Sequence, residues 1–326
     1  MRARVVGPAV IGLGVLAIAA SVTASSWVPL TPVDLPLDES FRTTSAGEQV
    51  GYVDPVSLEP VSSDDVTVSV RVRGDEDAGD ADDDTAVWES VSGTDDGNGT
   101  LVGTSTTVVC LDRRTAEAEE CTVGSVDGER VDVRGLTVRF PADTERRDYD
   151  LWDPTVRAPY PARYVGSERL GGLAVHRFEQ EVPEQVVRSV TVPGALVGSA
   201  EVEVSAEVVH SSTTTLLVEP LSGVIVSTEA RPVTVLRAPD GTPRAALLSG
   251  TFRSTDDAVD DAVARAGEIA DDREDLQSAV RWTGTGVGAA LLALGVLLVL
   301  RRRPAPDAAQ PDPAQDEPVR VPVPSA

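Results

Sequence analysis

The chain has 326 residues, 41% hydrophobic but only 4% aromatic, and carries 28 Lys and Arg against 53 Asp and Glu, a formal charge of −25. Its core must be built from Val, Leu and Ala, and abundant Val favours strands, because β-branched side chains fit a pleated, half-buried surface. The acid excess is concentrated between residues 25 and 300, where 22 Arg face 49 acids for a net −27. Such a surface repels nucleic acid and anionic head groups, binding to either of which draws on Lys and Arg, and rules out nucleic acid as a partner.

Residues 1–4 contain Arg2 and Arg4, and residues 5–24 follow as an uncharged run, VVGPAVIGLGVLAIAASVTA. About 20 apolar residues span the hydrocarbon core as a helix, so this segment is expected to be a first transmembrane helix with residues 1–4 in the cytoplasm. A cleaved signal peptide is the competing reading, since Val22 and Ala24 satisfy the small-residue rule before a cut. Trp27 then sits where an amphipathic indole marks the outer interface.

Residues 25–255 read as one extracytoplasmic, β-rich domain. Residues 66–73, VTVSVRVR, alternate apolar and polar at a period of two, the mark of a strand with one buried face. Further strand-like runs cover 86–92, 101–111, 131–140, 174–182, 202–210, 214–220, 224–229, 233–237 and 245–252. Asp96-Gly97, Asp127-Gly128, Gly171-Gly172 and Asp240-Gly241 supply tight-turn signals between them. The expected fold is therefore mainly β and antiparallel, either a half-barrel or sandwich-like.

Residues 256–281 change character, with Val259, Ala262, Val263, Ala266, Ile269, Leu276 and Val280 at helical spacing among acids, and predict an amphipathic helix. Residues 282–300, WTGTGVGAALLALGVLLVL, form a second apolar run closed by Arg301, Arg302 and Arg303. By the positive-inside rule both termini are cytoplasmic and the chain is a multi-pass protein of the cell membrane. The tail, 301–326, rich in Pro, Ala, Asp and Gln, is expected to be disordered. Gly284 and Gly288 form a GxxxG, and Gly12 and Gly14 lie in the first run, positions at which two helices can approach closely.

Cys110 and Cys121 are the only cysteines, and they flank LDRRTAEAEE between strand-like runs. Outside the cytoplasm such a pair is expected to form a disulfide. Residues 75–84 hold seven acids in ten positions, but Thr85 stands where a calcium loop needs Gly and Val91 where it needs Glu, so a solvated loop is the expectation. His176 and His210 are the whole His inventory and each falls in a strand-like run. Neither a zinc signature nor a GxSxG elbow is present, so no catalytic residue, metal site or cofactor is assigned. Tyr149, Trp152, Tyr160, Tyr164 and Phe178 concentrate five of the twelve aromatics in one segment, the best candidate for a core centre or a ligand groove, with Asp153 and Arg163 as its polar members.

The run CLDRRTAEAEEC, GLTVRFP at 135–141, YDLWDPTVRAPYPARYVGSERLGGLAVHRFEQ at 149–180, VPGALVG at 192–198 and LLVEPLSGVIV at 216–226 together resemble an actinobacterial membrane-protein family of unknown function, some of whose members are labelled porin PorA family. All 28 basic residues are Arg and Asn98 is the sole Asn, a composition that points to a GC-rich, actinobacterial genome. The resemblance implies a membrane location and carries no catalytic residues. RYVGSERLGGLAVHRFE at 163–179 and LLVEPLSGVIVSTE at 216–229 also look like the strand–turn–strand pattern of periplasmic lipoprotein carriers, whose half-barrel cradles an acyl chain.

The leading expectation is a membrane-anchored, non-enzymatic protein whose β domain binds or organises a lipid, a glycolipid or another envelope protein. The alternative is a porin-like channel or transport component, and a tethered hydrolase is third.

Overall fold

The computed structural model describes residues 34–300 and, ahead of them, residues 12, 13, 15–17, 19 and 20, with the backbone alone for 270–281. Residues 1–4, most of the first apolar run including Gly14, and the tail 301–326 lie outside the described residues. Pro29–Leu276 form one compact unit, and the remaining residues belong to a second.

The first unit is mainly β. Among the described residues thirteen strands build one sheet: β1 (Ser40–Val53), β2 (Pro60–Ser63), β3 (Thr67–Gly74), β4 (Thr85–Asp95), β5 (Leu101–Asp112), β6 (Ala118–Glu119), β7 (Ser125–Val126), β8 (Tyr149–Asp153), β9 (Ala158–Leu170), β10 (Leu173–Pro193), β11 (Glu203–Val218), β12 (Ile225–Arg237) and β13 (Pro243–Ser254). Every pairing is antiparallel, in the order β6-β5-β4-β3-β1-β13-β12-β11-β10-β9-β8, with β2 on β1 and β7 on β5. The result is an antiparallel half-barrel. Each Gly-containing turn signal lies at a strand end, Gly171-Gly172 joining β9 to β10 and Asp240-Gly241 joining β12 to β13.

Residues 131–140, expected as a strand, are not one. Their backbone partners come from three places, so no continuous ladder forms. Gly135 bridges Ala118 at one sheet edge, Leu136 bridges Leu151 at the other, and Phe140 N–H donates to the Gly223 carbonyl. The segment thus links the two edges of the half-barrel. Two pairs of expected strands also merge: 202–210 with 214–220 into β11, and 224–229 with 233–237 into β12.

The main core fills the inner face with Trp88, Leu111, Leu136, Phe140, Phe178, Val72 and Leu216. Its organisation follows the period of two: on β10, His176, Phe178, Gln180 and Val182 are buried while Arg177, Glu179 and Glu181 are exposed. The opposite face is covered in part by α1 (Asp256–Leu300), which buries Ala262 and Ala266 against Val175, Val224 and Val226. Thr255 caps this helix by accepting the Ala258 N–H, and Asp256 and Asp257 stand at its positive end. The expected amphipathic helix and second apolar run are one continuous helix.

Within the second unit, Trp282–Leu300 is the one described helix long and apolar enough to cross a membrane, with a mean hydropathy of 2.1. Gly288 is buried and Gly284 half-buried, whereas a Cβ at Gly12 or Gly286 would meet open space.

The turn between β11 and β12 ties the crossing segment down. Glu219 accepts hydrogen bonds from the backbone N–H groups of Leu221 and Ser222 and from the Ser222 hydroxyl. Gly223 has a φ of 74°, and a Cβ there would lie 2.1 Å from the Phe140 carbonyl oxygen. Left-handed backbone combined with a backbone clash makes Gly223→Ala cost about 2–3 kcal/mol, a loss that denaturant titration of the full chain in detergent would register.

Candidate functional site

An apolar cavity of about 340 Å³ lies against the inner face of the half-barrel. Phe41 and Val72 are cross-strand partners, as are Thr43 and Val70, and all four line it. Leu216 and Thr228 face each other across β11 and β12 and form another wall, while Thr137, Val138 and Arg139 of the crossing segment form the next. Arg265 reaches it from α1.

Two guanidinium groups therefore border a mainly apolar space, and their surroundings differ. Arg139, 5% exposed, donates through Nη1 to Glu39 Oε2 at 2.7 Å and through Nε and Nη2 to the Ser222 carbonyl at 3.3 and 3.1 Å. Burial pushes its pKa down against the opposing pull of Glu39, but an Arg stays charged. Arg265 lies 4.4 Å over the Phe41 ring. Among the described residues no carboxylate comes within 4 Å of its guanidinium, which makes no hydrogen bond. Burial lowers its pKa too, with the charges of Glu39 and Asp261 opposing. The other polar lining residues are Thr43, Thr228, Ser254 and Thr137, whose Oγ1 is a buried hydroxyl with no hydrogen-bond partner.

The seven residues singled out from the sequence as a groove are divided among three places, and none lines this cavity. Tyr149, Tyr164 and Phe178 pack with Phe140 and His176, ring centroids 4.8–6.4 Å apart, and Trp152 is buried in the same core. Tyr160 and Arg163 border a separate open cleft of about 510 Å³ with Pro161, Glu179 and Pro183. Asp153 is buried beside His210, whose Nε2 lies 3.7 Å from Asp153 Oδ2 while its Nδ1 meets Thr234 Oγ1 at 2.7 Å. Its Nε2 has no hydrogen-bond partner, and with the residue 2% exposed His210 sits within a polar core cluster.

The cavity residues escaped sequence reading for a specific reason. Phe41, Arg139 and Arg265 lie on three distant parts of the chain, and only the fold brings them together. Arg139 occupies an ordinary polar position in the alternating LTVRF, and the one faint local signal is that Arg265 sits beside the apolar stripe of its helix.

Burial pushes the Asp153 carboxyl up, but the His210 ring and the backbone N–H groups of Val156 and Thr155 outweigh it and leave the pKa below its usual value. As pH falls the unfolded chain takes up the proton first. The stabilisation is then complete above about pH 4 and is lost as pH drops through the depressed value. Asp153→Asn should flatten the acid limb of a stability-versus-pH profile measured by chemical denaturation.

Cys110 and Cys121 form a disulfide, with Cα atoms 6.1 Å apart. Asp80 approaches the same place, but both sulfurs are bonded to each other and Asp80 Oδ2 accepts from Thr122 and Val123, so the group does not offer a thiolate to a metal. In the acidic loop Asp82 accepts the N–H groups of Asp84 and Thr85, holding a turn. On the chain-entropy account, a double Cys→Ser variant at 110 and 121 loses about 3 kcal/mol, measurable as a shift of the denaturation midpoint that reductant reproduces in the parent.

A family model described as Porin PorA matches residues 6–297 of this chain. A stretch of 48 residues is 42% identical to "Porin PorA" of Corynebacterium resistens (strain DSM 45100 / JCM 12819 / GTC 2026 / SICGH 158), covering 15% of this chain and 12% of that protein.

Proposed function

We propose, from the premise that this chain belongs to the porin PorA family, that it is a transport component of the cell envelope, held at the membrane by the helix over Trp282–Leu300, whose half-barrel takes up an apolar solute. The apolar cavity against the inner face of the sheet carries this reading. A water-filled pore through the half-barrel is a poorer fit to the same face, because Trp88, Phe140, Phe178, Leu111 and Leu136 pack it solidly. An outer wall in lipid would also need an apolar row girdled by aromatics, whereas the outward side chains of β10 are Arg177, Glu179 and Glu181. Residues 5–24 serve as a second tether, so that both termini are cytoplasmic and the sheet lies outside. Pairing of the two spans would use Gly12 and Gly14 with Gly284 and Gly288.

The reading is tested by comparing a strain lacking the gene with its complemented parent. Uptake of labelled apolar solutes, neutral and anionic, should fall severalfold while sugar uptake is unchanged, and the full chain in planar bilayers should give no unitary ion conductance. Stepwise conductance from the purified chain, or unchanged uptake of every apolar solute, would overturn it. A purely envelope-organising role is the second reading, favoured by the large acidic surface, and the unchanged-uptake outcome would select it.

A further inference from the structure

We infer that the inner cavity is a site for a single-chain fatty carboxylate, with Arg265 as the residue that takes its head group. This rests on the transport reading above and deepens it by naming the solute class.

The charge count at the cavity comes first. Arg139 and Arg265 both border it and both feel the charge of Glu39, but Glu39 is bonded to Arg139 at 2.7 Å and lies beyond ion-pair distance of Arg265. Asp261, one turn before Arg265 on the helix, is exposed and stays beyond ion-pair distance. One guanidinium is therefore left without a hydrogen-bonded anion at the edge of an apolar space. A planar guanidinium accepts a carboxylate bidentately, and such charge-assisted bonds are about twice as strong as neutral ones.

The walls and the volume then select the rest of the molecule. Phe41, Val70, Val72, Val138 and Leu216 make the lining mainly apolar, with Thr43, Thr228 and Ser254 among them, which suits an alkyl chain below a polar head. At about 340 Å³ the space lies at the lower end of the range for small-molecule sites. One chain fits and the two chains of a diacyl lipid do not.

Arg265 is half-exposed, so its replacement leaves the packed core intact. The experiment is equilibrium dialysis of radiolabelled dodecanoate against the full chain in phosphatidylcholine nanodiscs, with empty nanodiscs as the blank. Saturable binding of one dodecanoate per chain is expected. Arg265→Gln should weaken it roughly tenfold to a hundredfold, Arg265→Lys should restore part of the loss, and Thr43→Phe, which fills the cavity, should abolish it. Dodecanol should bind at least tenfold more weakly than dodecanoate to the parent and equally to parent and Arg265→Gln. No saturable binding above the blank, or equal dodecanoate binding by the parent and Arg265→Gln, would overturn the assignment. Displacement of dodecanoate by phosphatidylglycerol in the disc would also overturn it, in favour of a diacyl anion. The two readings fail separately: in the uptake assay, a strain whose defect is rescued fully by Arg265→Gln keeps the transport role and loses the head-group assignment.

Discussion

Arg139→Met is expected to lower the stability of the sheet unit by about 3–5 kcal/mol, the usual loss when one partner of a buried ion pair is removed. The cost arises from what is left behind. Glu39 has a side chain only 12% exposed, and without Arg139 its carboxylate loses the donor at 2.7 Å. The Ser222 carbonyl simultaneously loses two donors, which loosens the turn that holds the crossing segment. Removing both charges together tests this account: Arg139→Met with Glu39→Gln should recover a large part of the loss, because a neutral pair carries no uncompensated charge. Denaturant titration of the four species gives the coupling energy directly. A single-variant loss below 1 kcal/mol, or strict additivity, would refute it.

The parts of this fold that could be read from the sequence are those set by local periodicity. The strand over Thr67–Gly74 alternates strictly, and the Gly-Gly and Asp-Gly turns punctuate the meander where the chain reverses. The helix over Asp256–Leu300 was read in two pieces because its composition changes at Trp282, although its backbone does not break. Strand lengths were misread wherever a Pro intervenes. Pro183 lies within Leu173–Pro193 and Pro232 within Ile225–Arg237, yet both strands continue, the first through a register shift between Val182 and Gln185. A bulge absorbs the missing N–H, and no sequence rule says when it will. Ser40–Val53 escaped because its inner face carries Thr43 and Ser45, residues without an apolar signal.

The apparent strand at 131–140 failed for the opposite reason. It alternates on either side of a phase change at Gly135-Leu136, but register is a property of partners, and Ala118, Leu151 and Gly223 claim successive parts of it. The cavity inherits that difficulty. Its two arginines come from this segment and from the helix, far apart in the chain, and neither lies in a motif. The disulfide was legible because only two cysteines exist and both flank a short loop.

Phe178→Ala should cost about 3–5 kcal/mol, the range for deleting a buried ring. The aromatic segment had two readings, a core centre or a ligand groove, and Phe178 separates them. Its side chain is fully buried, with Phe140 at 4.8 Å and Tyr149 and Tyr164 each at 5.8 Å between ring centroids. It also stands opposite Leu216 on one neighbouring strand and Tyr164 on the other, so the ring fills the space between three strands. Deleting it removes the transfer energy of the ring and leaves a void that the surrounding strands can only partly close. Phe178→Leu, which keeps most of the volume, should lose less than half as much. Tyr160 and Arg163 border the outer cleft instead, and an exposed Arg163→Ala should stay within about 0.5 kcal/mol of the parent. Thermal denaturation followed by far-UV circular dichroism would rank the three. If Phe178→Ala melted with the parent while Arg163→Ala did not, the segment would be an adaptable binding surface, and the packed inner face on which the transport reading depends would be the wrong description of the half-barrel.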